Sequence, residues 1–499
     1  MRVTNTMMQN NALINMNKNK EYYNKYLEQY TTQKKIQKAS DDPMIAVRSL
    51  KFRTNITEIT QYIDSNIKDA QSWMSATEDA MTQVNTIYRT MLDNCTQGAN
   101  DTLEPKDRNT ILAAMKENVG FIFEQQANAD NAGRYLFTGY RTNVPLVFEG
   151  ASNDVTYKIT ENLGVENIRK FSYESSSLAY VDGYTASNYA AAAPKYKDAY
   201  RMTLSYDKLD SLEGISYTKS DGSTVNLSVG SVSVTDTNAY DIDAFNAAGG
   251  TNYDAVLIEE TGEIIFSSNV YTDLKTDSTG ISVQYKKTKF EDKEVRPEHY
   301  FDCEATNNKT GEVINYTNPT GQKIRYEINF SQSLQVNTMA CDAFDMSVWR
   351  GVDGIDNICT MLEETESQMS EVKKMINDTD ENDVEKRNAL NELYKQLQTK
   401  KELEDTMLQN AFSSMITTLQ NAQDKLNKAV ADHGSRDLRL TLTANKLKEQ
   451  KIDFTEALSD NEDADLGDAY IKYNQADLLY QATLQATSKV LGNTLLDFI

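Results

Sequence analysis

The chain has 499 residues, a formal net charge of -23 at pH 7, 39% hydrophobic residues and a mean hydropathy of -0.60. So low an apolar content over this length favours an elongated or multi-part protein over one with a single deep core, and the charge repels nucleic acid phosphates and anionic membrane surfaces. Four scattered cysteines, Cys95, Cys303, Cys341 and Cys359, form no CxxC pair, which argues against a zinc site or a disulfide scaffold.

In chain order, the first segment, residues 1–42, carries a thin apolar stripe, Val3, Met7 and Ile14, separated by asparagines. It lacks the apolar core of a cleavable signal peptide, and no apolar run in the chain reaches membrane-spanning length, so neither membrane insertion nor signal-peptide export is expected. The stretch ASDDPMIAVRSL (39–50) then reads as a helix junction. Pro43 suits the first helical position, Asp42 caps the free N–H groups behind it, and Asp41 adds negative charge at the positive end of the helix dipole.

From Phe52 a heptad repeat runs through Ile59, Asn66, Trp73, Ala80 and Ile87, with partner positions Ile56, Ile63, Ala70, Thr77, Val84 and Met91. That spacing predicts a long rod-forming helix in which Trp73 and Met74 pack in the seam. GANDTLEP (98–105) breaks it, and a second helix follows over 106–129, with Ile111, Met115, Val119, Ile122 and Ala129 on one side. GRYLFTGYRT (133–142) ends the helical region.

Residues 145–336 change to Thr, Ser, Tyr, Val, Gly and Asp, with alternating runs at 155–160, 225–234, 281–288 and 323–330. They predict a β-rich insert of one or two small domains, in which NYAAAAPKY (188–196) is a surface connection. Helical periodicity returns over 337–456. Ile355, Ile358, Leu362, Met369, Val372 and Ile376 form one amphipathic stretch, NDTDEND (377–383) interrupts it, and a heptad train follows at Phe412, Leu419, Leu426, His433, Leu440, Leu447 and Phe454. The last segment, 457–499, carries a stripe of small and polar contact positions, Ala469, Tyr473, Ala476, Leu479, Thr483, Ala486 and Val490, followed by Leu495 and Leu496. The fold class read from this pattern is multi-domain α + β, with long antiparallel coiled-coil-like helices from both chain ends and a β-rich central insert. Both end segments bury too little apolar area to offset their ordering entropy alone, so both are expected to fold when a partner covers the stripe.

No catalytic constellation emerges. His433 falls on the core train, His299 has no HExxH context, and the DTDEND run lacks the glycine and the glutamate of a calcium loop, having Asp383 and Ala389 in those places. No cofactor or metal is expected, and the sequence argues against an enzyme by omission.

The motifs ASDDPMIAVRSL (39–50), SWMSATEDAM (72–81), GRYLFTGYRT (133–142), SDNEDADLGDA (459–469) and the terminal LLDFI (495–499) resemble those of the bacterial flagellin superfamily. GRYLFTGYRT and LLDFI resemble its hook-filament junction branch. The resemblance implies a non-enzymatic axial subunit whose terminal helices form the tube core. It implies export through the flagellar type III export apparatus with a dedicated export chaperone, and a ring of copies between hook-associated protein 1 and flagellin, outside the cell. Partner contacts then fall on the two terminal stripes. Two other readings stand beside it: a flagellin-type filament subunit, and a secreted adhesin or glycan-binding module carried by the β insert.

Overall fold

The structure is a computed structural model and describes residues 5–100, 105–174, 178–234, 239–317 and 319–491. The N-terminal part is helical: α1 (Asn5–Thr32), α2 (Pro43–Gln61), α3 (Lys68–Gly98) and α4 (Pro105–Gly120), followed by the short strands β1 (Asp130–Asn131) and β2 (Arg134–Tyr135). The central part holds β3 (Val155–Leu163), β4 (Ile168–Glu174), α5 (Ala186–Ala191), β5 (Tyr196–Thr203), β6 (Ser211–Lys219), β7 (Thr224–Leu227), β8 (Val229–Val232) and α6 (Ile242–Gly249). It continues with β9 (Ala255–Ile258), β10 (Glu263–Phe266), α7 (Ser268–Asp277), β11 (Ser278–Lys287), β12 (Asp302–Asn307), β13 (Val313–Tyr316), β14 (Arg325–Asn329) and β15 (Gln332–Gln335). The C-terminal part is α8 (Ala340–Ala343), α9 (Ser347–Asp378), α10 (Val384–Glu462) and α11 (Leu466–Leu491). Helices from both ends thus flank a β-rich centre, as the periodicities predict.

These elements divide into two compact units, one of Met1–Ala70, Tyr326–Leu334 and Leu438–Ile499, the other of Gln71–Arg325 and Gln335–Asp437. In the second unit α3 and α10 run antiparallel, because partners early in one are late in the other. Asn85 donates to Asn427 at 3.0 Å, and Nε2 of His433 lies 2.9 Å from the carbonyl of Met74. The seam buries Trp73, Thr77, Ala80, Val84, Tyr88, Met91 and Cys95 against Leu408, Phe412, Met415, Leu419, Ala422, Leu426 and His433. The heptad train drifts at its end, for Tyr88 is buried where the strict seven-residue step chooses Ile87, which is half-buried. A straight 3.6-residue helix moves off a 3.5 repeat in this direction.

Between α2 and α3 one turn, Tyr62–Ile67, winds as π-helix. The extra residue per turn shifts the seam by one, which puts Ile67 in the core and leaves Asn66 to donate to the carbonyl of Glu327 at 2.8 Å. A second π turn, Phe121–Gln126, ends the helix expected over 106–129. The first turn has no Gly or Pro signature and so was not legible as a break, whereas Gly120 stands directly before the second.

Besides the short β1-β2 pair, the second unit carries two larger sheets, ordered β4-β5-β10-β9-β8 and β13-β12-β3-β11-β6-β7, antiparallel except for the β8–β9 pair. The run 225–234 is split between them, β7 in one and β8 in the other. NYAAAAPKY is not a simple surface connection. It contains most of α5, whose Tyr189 is 2% exposed and packs with Leu178 against Val372, Leu390, Leu393 and Leu397 of α9 and α10. The aromatic ring supplies the burial that the alanines cannot. The break at 379–383 is a capping turn: the Asp383 carboxylate accepts from the N–H of Lys386 at 3.1 Å and opens α10.

GRYLFTGYRT folds as a docking loop within the second unit. Phe137 meets Phe344 edge-on at 4.8 Å, and the Arg134 guanidinium lies 5.1 Å over the Trp73 ring. Gly139 has φ +63°, a left-handed backbone that favours glycine, and the ends of the Gln322 and Met339 side chains lie where a Cβ would go.

Candidate assembly surface

In the first unit α1 and α11 lie against each other, antiparallel. Asn19 donates to Thr483 at 2.6 Å, Tyr23 stacks with Tyr480 at 5.6 Å and touches Tyr473 at the same distance, and Tyr30 stacks on Tyr473 at 5.9 Å. Ala469 and Ala476 are buried in this contact row, and Thr487 continues it. The inward face of α11 is therefore Ala469, Tyr473, Ala476, Tyr480, Thr483, Thr487 and Val490, an alternating four-and-three spacing. Leu479 and Ala486, placed on this stripe by sequence, point away: Leu479 is 58% exposed and Ala486 is exposed. The physical reason is that Tyr480 and Thr487 keep the heptad phase, one residue later. Val3, Leu495 and Leu496 lie outside the described residues.

On α1 the half-buried row is Ala12, Met16, Asn19, Tyr23 and Tyr26, whereas Met7 and Ile14 are more than half exposed. The predicted N-terminal stripe thus points outward. The tyrosines that make the actual contact, Tyr23 and Tyr30, stand seven residues apart on one helical face, a sequence signal that an aliphatic pattern passes over.

Among the polar groups that remain outward stand several large apolar side chains. Met7, Met8 and Ile14 on α1, Leu466, Ile471, Leu478, Leu479 and Leu484 on α11, and Met44, Val47 and Leu50 on α2 are all exposed. Residues 44, 47 and 50 fall on one helical face, each with about two thirds of its surface in solvent. Exposed apolar clusters such as Met44, Val47 and Leu50 mark contact sites for other chains.

The end helices are fixed by a joint. Asp41 accepts from the N–H groups of Gln37 and Lys38 at 3.0 and 2.9 Å, and Asp42 Oδ1 accepts from those of Met44 and Ile45 at 2.9 and 3.3 Å, with Pro43 at the first helical position. The two aspartates therefore serve opposite sides of one turn. Across from them, Lys34 bridges antiparallel to Asp463: Lys35 N–H donates to the Glu462 carbonyl and Ala464 N–H to that of Gln33, both at 2.8 Å. The Glu462 carboxylate, 6% exposed as a residue, accepts from Lys34 at 2.9 Å and from Arg53 at 2.5 Å, and Asn461 donates to Ser49 and to the Ile45 carbonyl. Burial alone would raise the Glu462 pKa, but the Lys34 and Arg53 hydrogen bonds hold it below the usual range. Asp465 caps α11 by accepting from Gly467 and Asp468 at 2.8 and 3.1 Å. Helix α10 continues to Glu462, past the boundary at 456/457 drawn from sequence.

Among the described residues no group of three His, Cys, Asp or Glu side chains is placed to hold a metal ion, and no helix is long and apolar enough to cross a membrane. Burial pushes the Cys95 and Cys341 thiols up to about 12 and Cys359 to about 11, away from nucleophilic range.

Residues 3–142 match the family described as the bacterial flagellin N-terminal helical region, and residues 415–499 match the bacterial flagellin C-terminal helical region. Both ends of this chain are thus similar to flagellin helical regions. The match brackets the α1–α11 pair, the joint and the α3–α10 seam. Over 142 residues the chain is 25% identical to flagellar hook-associated protein 3 of Salmonella typhimurium, a match covering 28% of this chain and 44% of that protein. It is 32% identical over 109 residues to a flagellin of Clostridium tyrobutyricum, covering 22% of this chain and 29% of that one. These matches span less than half the length of either relative. The crystal structure of FlgL from Xanthomonas campestris aligns at 10% identity with a TM-score of 0.30, covering 81% of this chain and 98% of that one.

Proposed function

We propose that the chain is a non-enzymatic axial subunit of the bacterial flagellum that forms the junction between hook-associated protein 1 and the flagellin filament. The observation that carries this reading is the set of large apolar side chains exposed on α1, α2 and α11, on the two ends that match flagellin terminal regions. A soluble monomer gains nothing from exposing them, whereas a ring of copies covers them. The likeness to hook-associated protein 3 supports the junction position. In this reading one side of the ring meets hook-associated protein 1 and the other meets flagellin. Neighbouring copies cover the outer side of the paired terminal helices on assembly, after export by the type III apparatus from a chaperone-held state, and the protein resides in the flagellum outside the cell. The domain division follows: residues 1–42 and 457–499 form the assembly layer, 43–144 and 337–456 the helical rod layer, and 145–336 the insert. The contact residues include Met7, Ile14, Leu479 and Ala486, which face outward.

The match to a flagellin favours one second reading, a filament subunit. A strain lacking the gene separates the two. A junction protein leaves hooks without filaments and flagellin shed into the medium. Normal filaments in that strain would overturn both readings, and loss of all flagellin polymer with none secreted would favour the filament subunit.

A further inference from the structure

Strands β4 and β5 pair with Arg169 directly opposite Arg201. Like charges in that relation repel, so a sheet that keeps them needs an anion for each. Arg201 has one: its Nη1 donates to Glu263 Oε1 at 2.8 Å, and its guanidinium lies 4.2 Å over the Phe171 ring. The hydrogen bonds of Arg169 go to uncharged groups, the Ser414 hydroxyl at 2.6 Å and the Ser414 carbonyl at 3.4 Å. Arg169 is half-buried, and both burial and Arg201 press against its charge.

Both arginines line a cavity of about 180 Å³ in the second unit, together with Asn167, Ser347, Ser414 and Thr418. The other charged groups on its wall are already engaged. Glu263 also accepts from the Tyr240 and Thr261 hydroxyls at 3.0 and 3.1 Å, and Glu161 accepts from the Ser205 hydroxyl at 2.7 Å and the Tyr285 hydroxyl at 2.9 Å. Asp345 is held by Lys425 at 3.4 Å, and Arg350 by Asp353 at 3.0 Å. Glu161 is held by neutral groups, and burial raises its pKa. Of the three arginines on the wall, Arg169 is the one whose hydrogen bonds among the described residues reach no carboxylate. The Ser414 hydroxyl accepts from Arg169, which leaves its O–H to donate. The space is below the roughly 300 Å³ at which organic-ligand pockets begin, and equals the share of roughly six waters.

We propose that this cavity binds a small tetrahedral oxyanion of the phosphate or sulfate class, held between Arg169 and Arg201 and by the Ser414 hydroxyl. A planar guanidinium donates to such an oxyanion through two parallel N–H groups, and a second guanidinium across the strand pair turns the repulsion into a clamp. In a chain of net charge -23 a site of this sign is local.

The test is thermal unfolding and calorimetric titration of the full chain with inorganic phosphate, against chloride at equal ionic strength. The wild type should show saturable heat and a melting temperature that climbs with the logarithm of phosphate above Kd. Arg169→Met should lose that dependence and, without phosphate, melt no lower than wild type, because the repulsion with Arg201 is gone. Ser414→Ala should keep the fold and bind about ten-fold more weakly, the loss of one hydrogen bond to a charged group. Phosphate that raised the melting temperature of wild type and Arg169→Met equally would be general salt exclusion and would overturn the site. So would a wild type without saturable heat, and that titration decides the matter even if Arg169→Met does not fold.

Discussion

His299 is 1% exposed, its Nε2 finds no partner among the described residues, and burial followed by the charges of Arg141 and Arg296 lowers its pKa to about 3. The folded state therefore keeps the ring neutral, while the unfolded chain protonates it below the ordinary value near 6.5. A depressed folded pKa contributes stability that is fully present above the unfolded value and is lost as pH falls toward the folded one. Between pH 6.5 and 3 the loss from this residue should approach about 1.4 kcal/mol per pH unit. Urea unfolding of wild type and His299→Gln at pH 7, 6 and 5 checks it. The wild type should lose its margin over the variant as pH falls, and a constant difference would show that the ring titrates in the folded state. His433, the other histidine, was legible as a seam residue from its place in the heptad. The burial of His299 was not legible, because it depends on long-range packing around Pro297–His299 that no local pattern announces.

At the scale of elements, periodicity revealed the helices and turn chemistry revealed their ends. The phase of each face was harder. Asp42 and Pro43 announced the start of α2 because one residue supplies the acceptor and the other the dihedral angle. Asp42→Ala should cost about 1 kcal/mol, read as a shift in the denaturation midpoint without a change in slope. A loss several times larger would mean that the carboxylate serves some contact beyond the cap. Tyr480 and Thr487 were missed for Leu479 and Ala486 because a leucine outranks a tyrosine in an apolar count, whereas in the α1–α11 contact stacked tyrosine rings supply the area and leave their hydroxyls wet. The π turn at Tyr62–Ile67 was invisible for a related reason: its one-residue shift leaves both Asn66 and Ile67 in place in the sequence, and only packing chooses between them.

At the scale of the whole molecule, the balance of apolar surface distinguishes the two units. Most of the large apolar side chains left exposed among the described residues belong to the first unit, although the second is the larger. This contrast separates two classes of substitution on the same helix. Ala476 is buried against α1, so Ala476→Arg places a long cation in the α1–α11 contact and should separate those helices. Leu478 and Leu479 are 67% and 58% exposed, so Leu478→Glu combined with Leu479→Glu leaves that contact intact and charges the outer face. The second variant should therefore be exported and fold with unchanged helix content, yet fail to restore filaments to a deletion strain. Ala476→Arg should fail as well, but with lost helix content in the purified protein. Circular dichroism beside a motility assay distinguishes them. If the Leu478 and Leu479 variant restored motility, the outer face of α11 would not be an assembly contact, and the search would move to Met44, Val47 and Leu50 on α2.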